Sequence, residues 1–100
     1  MEFTKIVDDG VCNIVMSGKF TFADHIGLKE LLEKFDDNAV KTIQFDMKKV
    51  EFVDSAALGL LLLSLDHSKK TGKSMVILEP EGQVKKMFEI SRFYELFDIR

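Results

Sequence analysis

The chain has 100 residues, 46% apolar and 31% charged, and a formal net charge of −3. That length suits one domain, residues 1–100, and the composition is that of a compact soluble fold, not a disordered chain. Positive charge gathers only in the pairs Lys48–Lys49, Lys69–Lys70 and Lys85–Lys86, so direct nucleic-acid binding lacks its electrostatic footprint.

Any effect on transcription is therefore expected to pass through another protein. Cys12 is the only cysteine, which excludes an intrachain disulfide and a cysteine-based zinc site and fits a cytoplasmic location. The N-terminus has no basic start followed by an apolar stretch, so no signal peptide is expected. The longest apolar run, Ala56–Leu63, is far short of the roughly 20 residues that cross a bilayer, so no membrane insertion is expected.

In chain order, Phe3–Val7 reads as a strand, Asp8-Asp9-Gly10 as a turn and Val11–Ser17 as a second strand with Cys12, Ile14 and Met16 on one face. A short Gly-containing link between two strands predicts a hairpin. Gly18 is expected to stop the strand. Asp24–Phe35 reads as a helix, because Leu28, Leu31, Leu32 and Phe35 share one face, and Asp36-Asp37-Asn38 breaks it. Thr42–Met47 alternates as a strand. Ser55–Lys70 reads as a helix with Gly72 just beyond its end and lysines in its last turn. Met75–Leu78 reads as a buried strand. Pro80 opens a helix with Val84, Met87, Phe88 and Ser91 on one face, and Phe93–Ile99 reads as a last helical turn. The order β-β-α-β-α-β-α-α implies a mixed sheet with helices on one or both faces.

The informative stretch runs from Val50 to Leu63. Asp54 and Ser55 open a helix there, and capping alone would explain both residues, since their oxygens accept from the unpaired N–H groups of a first turn. The same geometry suits a phosphate. A helix N-terminus carries partial positive charge, and a phosphoryl group on Ser55 adds about −1.5 to −2 charges. The helix would tolerate that charge; a partner docked beside Asp54 would not. Within the helix, Leu58, Leu61, Leu62 and Leu65 form the expected inward stripe, which leaves Leu60 and Leu63 on other faces. Either the helix is sandwiched, or it shows an apolar patch beside Ser55.

Asp54-Ser55-Ala56-Ala57-Leu58-Gly59 resembles the Asp-Ser-(Ser/Thr/Ala)-Gly-Leu-Gly signature of STAS-domain anti-sigma factor antagonists. Gly18-Lys19-Phe20, Phe52-Val53-Asp54, Thr71-Gly72-Lys73 and Val84–Phe88 stand in that family's order. The resemblance implies an α/β STAS-type fold: a mixed four- to five-stranded sheet with helices mainly on one face. It implies a phosphorylation-controlled binding switch in a partner-switching pathway. A serine-protein kinase that is also the anti-sigma factor would modify Ser55, the unphosphorylated form would bind that kinase, and a serine phosphatase would reset the switch. Asp54, Ser55, Ala56, Ala57, Leu58, Gly59 and Leu60 would form the partner surface, joined by Thr21, Phe22, Asp24 and His25 from the Gly18–Asp24 approach to the first helix. Three positions depart from the pattern. Ala57 replaces a usual Gly, Ala56 leaves Ser55 as the motif's one acceptor hydroxyl, and Thr21 stands where Asp is frequent.

STAS domains also serve as constitutive subunits of lipid-transport or signalling assemblies, and in such a role Ser55 would be only a helix cap. Other chemistry finds little support. Asp8, Asp9 and Asp46 lack the strand-to-helix setting of a receiver domain and read as turn formers. His25 and His67 have no second ligand at helical spacing, so no metal is expected, although His25 lies where a partner would touch. Lys73-Ser74 lacks the glycines of a phosphate loop. No catalytic constellation is visible, so the chain is expected to be a kinase substrate rather than an enzyme, with no cofactor of its own; ATP and Mg²⁺ would belong to the kinase.

Overall fold

In the computed structural model, which describes residues 1–33 and 39–100, the chain opens with the expected hairpin. Strands β1 (Glu2–Asp8) and β2 (Val11–Phe20) pair antiparallel with Asp8 opposite Val11. Only Asp9 and Gly10 make the turn, at φ 49° and 78°, the left-handed pair that lets a two-residue link follow strand twist. After a one-turn 3-10 helix at Phe22–Asp24 come α1 (His25–Glu33), β3 (Thr42–Val53) and α2 (Ser55–Lys70). The chain ends with β4 (Ser74–Leu78), α3 (Gly82–Ile90), α4 (Phe93–Leu96) and β5 (Asp98–Ile99).

The sheet runs β1-β2-β3-β4-β5, parallel throughout except at β1. Each parallel step goes to the next neighbour in the same direction. Right-handed crossovers then place every connecting helix on the same face. The burial pattern agrees: Cys12, Ile14 and Met16 of β2, Ile43, Phe45 and Met47 of β3, and Met75 and Ile77 of β4 are all buried. Phe20, Leu28, Leu61, Val84 and Phe88 complete that core. The other face carries half-exposed polar residues, among them Asn13 and Gln44, whose side chains bond across the strands at 3.2 Å.

Five boundaries differ from expectation. Gly18, at φ 93°, does not stop β2. Twice along the β2–β3 pairing, between Val15 and Ser17 and between Gly18 and Lys19, β3 advances one residue more than its partner. Each bulge shifts the inward phase of β3, so its buried positions run 43, 45, 47 and then 50, 53. That break in alternation hides the second half of β3, which extends six residues past Met47. The first helix begins as a 3-10 turn because Thr21 forms a capping box with Asp24; the expected Phe35 contact and the Asp36-Asp37-Asn38 stop lie outside the described residues. Pro80 precedes α3 by two residues, with Glu81 at the cap. The tail does not stay helical to Ile99. Phe97 is extended and buried, and Ile99 pairs with Ile77 as part of a fifth strand.

Helix α2 also turns differently from the expected stripe. Its buried residues are Ala57, Leu58, Leu61, Ser64 and Ser68, with Leu65 half-buried, whereas Leu62 is 42% and Leu63 66% exposed. Steps of three and four from Ala57 and Leu58 lead to Leu61, Ser64 and Ser68; Leu62 lies about 100° away from Leu61. Ser64 and Ser68 can sit inside because their hydroxyls donate to Leu60 O (2.8 Å) and Leu65 O (2.7 Å). The helix is therefore not sandwiched: it has a solvent face, and leucines stand on it.

Candidate functional site

Strands β2, β3 and β4 are parallel and each leads into a helix, so the helical N-termini gather at the C-terminal ends of these strands. The Asp54–Ser55 turn lies at that end, after the central strand β3. Asp54 is extended at φ −99°, ψ 176°, and its Oδ1 accepts from Ala57 N–H at 2.7 Å. Its Oδ2 also accepts from Phe22 N–H at 3.4 Å, so one carboxylate spans the starts of two helical segments. The Asp54 N–H donates to Phe20 O at 3.3 Å, which ties the turn to the end of β2. Ser55, the first residue of α2, is exposed and reachable by another macromolecule.

Residues 21–25 lie beside this turn, joined to it through the Phe22 N–H. Thr21 Oγ1 accepts from Ala23 N–H at 3.3 Å, and Asp24 Oδ2 accepts from Thr21 N–H at 2.9 Å. The His25 ring stacks on Phe22, with centroids 4.4 Å apart, and its Nδ1 donates to Phe22 O at 2.8 Å. Phe22 itself is 58% exposed. Stacking and hydrogen bond together hold an apolar ring in solvent close to the charged turn, an arrangement that exclusion from water would reward.

The motif residues divide by depth. Ser55 and Gly59 are exposed and Ala56 and Leu60 half-exposed, while Ala57 is fully buried and Leu58 nearly so. The last two form the floor of the surface, and an Ala at 57 packs into the core there. Beyond Leu60 the surface continues into a groove of about 340 Å³ between α1 and α2, walled by His25, Leu28, Leu32, Leu60, Leu63 and His67. Cys12 lies elsewhere, fully buried under the sheet, where burial pushes its thiol pKa up against a smaller opposing pull from Lys5. Among the described residues no cluster of three His, Cys, Asp or Glu side chains suits a metal ion. No helix there is long and apolar enough to cross a membrane.

With this geometry the family model for the STAS domain matches residues 2–100. The chain belongs to the STAS domain family. A STAS-domain containing protein of Pseudomonas aeruginosa is 29% identical over 86% of this chain and 84% of its own length. A Bordetella bronchiseptica protein named as a candidate anti-sigma factor antagonist, BtrV, is 24% identical over 99% of the chain and 85% of its own. Among solved structures, a candidate anti-sigma factor antagonist of Thermotoga maritima superposes with a TM-score of 0.86 at 17% identity, covering 97% and 84% of the two chains. The Bacillus protein SpoIIAA in its phosphorylated form gives 0.74 at 19% identity, covering 99% and 91%. At such identities the structural likeness speaks for the fold: this STAS domain has the architecture of anti-sigma factor antagonists.

Two features of the site escape sequence reading. The Asp54–Phe22 link joins residues 32 positions apart. Val53 N–H donates to Gln83 Oε1 and Gln83 Nε2 donates to Val53 O, both at 3.0 Å, across 30 positions. Neither has a local pattern, because both depend on which helix the sheet order sets beside the end of β3.

Proposed function

We propose that this STAS domain is an anti-sigma factor antagonist that works as a binding switch set by phosphorylation of Ser55. The unphosphorylated form binds an anti-sigma factor that is also a serine-protein kinase. Phosphorylation of Ser55 releases it, and a serine phosphatase restores the binding form. The chain is the substrate of the kinase, with no catalytic step of its own.

The observation that carries this reading is the exposed Ser55 hydroxyl at the N-terminus of a 16-residue helix, directly after the Asp54 carboxylate and beside exposed Phe22. The first-turn amides and the positive helix end accommodate a phosphate within the chain. A docked apolar or acidic partner meets two anionic groups in succession, about −2.5 to −3 charges in all when Asp54 is ionised. Repulsion and desolvation then fall on the interface while the fold is spared. The site residues in contact would be Asp54, Ser55, Ala56, Gly59 and Leu60, with Thr21, Phe22, Asp24 and His25 alongside and Ala57 and Leu58 supporting them.

Intact-mass analysis of the protein isolated from its own cells, with the modified residue mapped, tests this directly. A phosphate on Ser55 is expected. The protein that copurifies with Ser55→Ala should be lost from Ser55→Asp. An unmodified chain held in a stoichiometric complex that both variants retain would instead describe a constitutive STAS subunit and end the switch reading.

A further inference from the structure

Beyond its five paired positions with β4, Thr42 to Asp46, strand β3 has no strand on that side, while β2 accompanies it to Val53. Val53 is fully buried, so its peptide N–H and C=O need partners there or remain unpaired away from water. The side chain of Gln83 supplies both. Its carboxamide accepts from Val53 N–H and donates to Val53 O, 3.0 Å each, the donor–acceptor pair a neighbouring strand would have offered. Helix α3 holds that amide in place. Val84 and Phe88 anchor it in the core at 0% exposure, and Gly82, at φ 57°, turns the chain into the helix immediately before Gln83.

The next residue, Asp54, donates its N–H the opposite way, to Phe20 O. The end of β3 is thus gripped from both sides, by a backbone carbonyl of β2 and by a side chain of α3. Ser55 follows one residue later with no ladder contact of its own. The backbone path into Ser55 is set by this grip.

We infer that Gln83 is a positioning residue for Ser55, a one-residue substitute strand through which α3 fixes the Asp54–Ser55 turn. Its functional consequence rests on the phosphorylation reading above: a kinase needs the serine oxygen in line with its nucleotide, and small misplacements of a reacting group cost rate far more than affinity.

The test uses the whole chain with Gln83→Met, similar in length and without the amide. Relative to wild type, exchange of the Val53 amide should quicken about tenfold while Ile14 and Phe45 amides keep their protection, and the cross-peaks of Asp54, Ser55 and Ala56 should move. Gln83→Glu, which keeps an acceptor for Val53 N–H but loses the donor to Val53 O, guards against a misfolded Met variant and should fall between the two. With ATP and a soluble extract of the protein's own cells, mass-mapped phosphorylation of Ser55 should slow about fivefold or more at saturating protein, with little change in the half-saturating concentration. Unchanged Val53 exchange and cross-peaks overturn the inference. So does a loosened turn with Ser55 modified at the wild-type rate. If wild type itself is not modified while Ser55 is intact, the phosphorylation reading fails instead, and the exchange comparison still decides whether Gln83 holds the turn.

Discussion

Removing the Asp54 carboxylate separates its role as a cap from its role as a charge. Asp54→Ala deletes the 2.7 Å bond to Ala57 N–H and the 3.4 Å bond to Phe22 N–H. Loss of an N-cap costs about 1 kcal/mol, within a range of roughly 0.5–2. Ala57 is fully buried, so its orphaned N–H draws the upper part of that range. Loss of the anion from the helix start adds about 0.3–1 kcal/mol; the long Phe22 bond adds little. The sum is about 2 kcal/mol. For a domain of this size that lowers the melting temperature by about 8–16 °C, and moves the urea midpoint by about 1 M with an unchanged m value near 2 kcal/mol/M. Asp54→Asn keeps an oxygen for Ala57 N–H and loses the charge together with the long Phe22 bond, so it should cost about half as much or less. If Asn and Ala destabilise equally, or Ala by less than about 0.5 kcal/mol, the carboxylate does not cap α2 as described.

Two further outcomes follow from burial. Leu61→Ala, at a fully buried position of α2, should cost about 2–5 kcal/mol in a denaturant titration, whereas Leu63→Ala, 66% exposed, should stay within about 0.5 kcal/mol; a reversed order would mean α2 is rotated about its axis. The Cys12 thiol has its pKa raised by burial, so the folded chain holds that proton where the unfolded chain releases it. Its contribution is complete below the unfolded thiol pKa and is lost as pH rises through the folded value. Stability measured across the alkaline range should therefore fall in wild type more steeply than in Cys12→Ala, and parallel slopes would contradict it.

Much of the fold was legible because its signals are local. The Asp-Gly corner, the span of α2 from Ser55 to Lys70 and the alternation of Ile43, Phe45 and Met47 need only neighbours a few residues away. The rest was hidden for identifiable reasons. Two bulges broke the alternation of β3 past Met47, and the two-residue β5 is too short to show a period and exists because β4 offers it an edge. Hydrophobicity alone does not distinguish Leu62 from Leu61 and puts both inward; the buried serines Ser64 and Ser68, which take their places by bonding to their own helix, set the true face. The Asp54–Ser55 motif was readable as a helix start, but not the side chains that hold it.

That division has a physical consequence for the site. A serine at a helix start can be modified wherever it is exposed, but a switch also needs the modified and unmodified surfaces to differ while the fold does not. Here Ser55 stands on a helix whose inward face reaches from Ala57 to Ser68, and the residues before it are tied to β2 and α3. Phosphate brought to such a place finds donors and a favourable dipole but no loose segment to reorganise. On the switch proposed above, its free energy would therefore fall at the surface, against a partner covering Phe22, Ser55 and Leu60. Binding of the unmodified form should accordingly depend on those three side chains, while unfolding of the free domain should be almost indifferent to the phosphate.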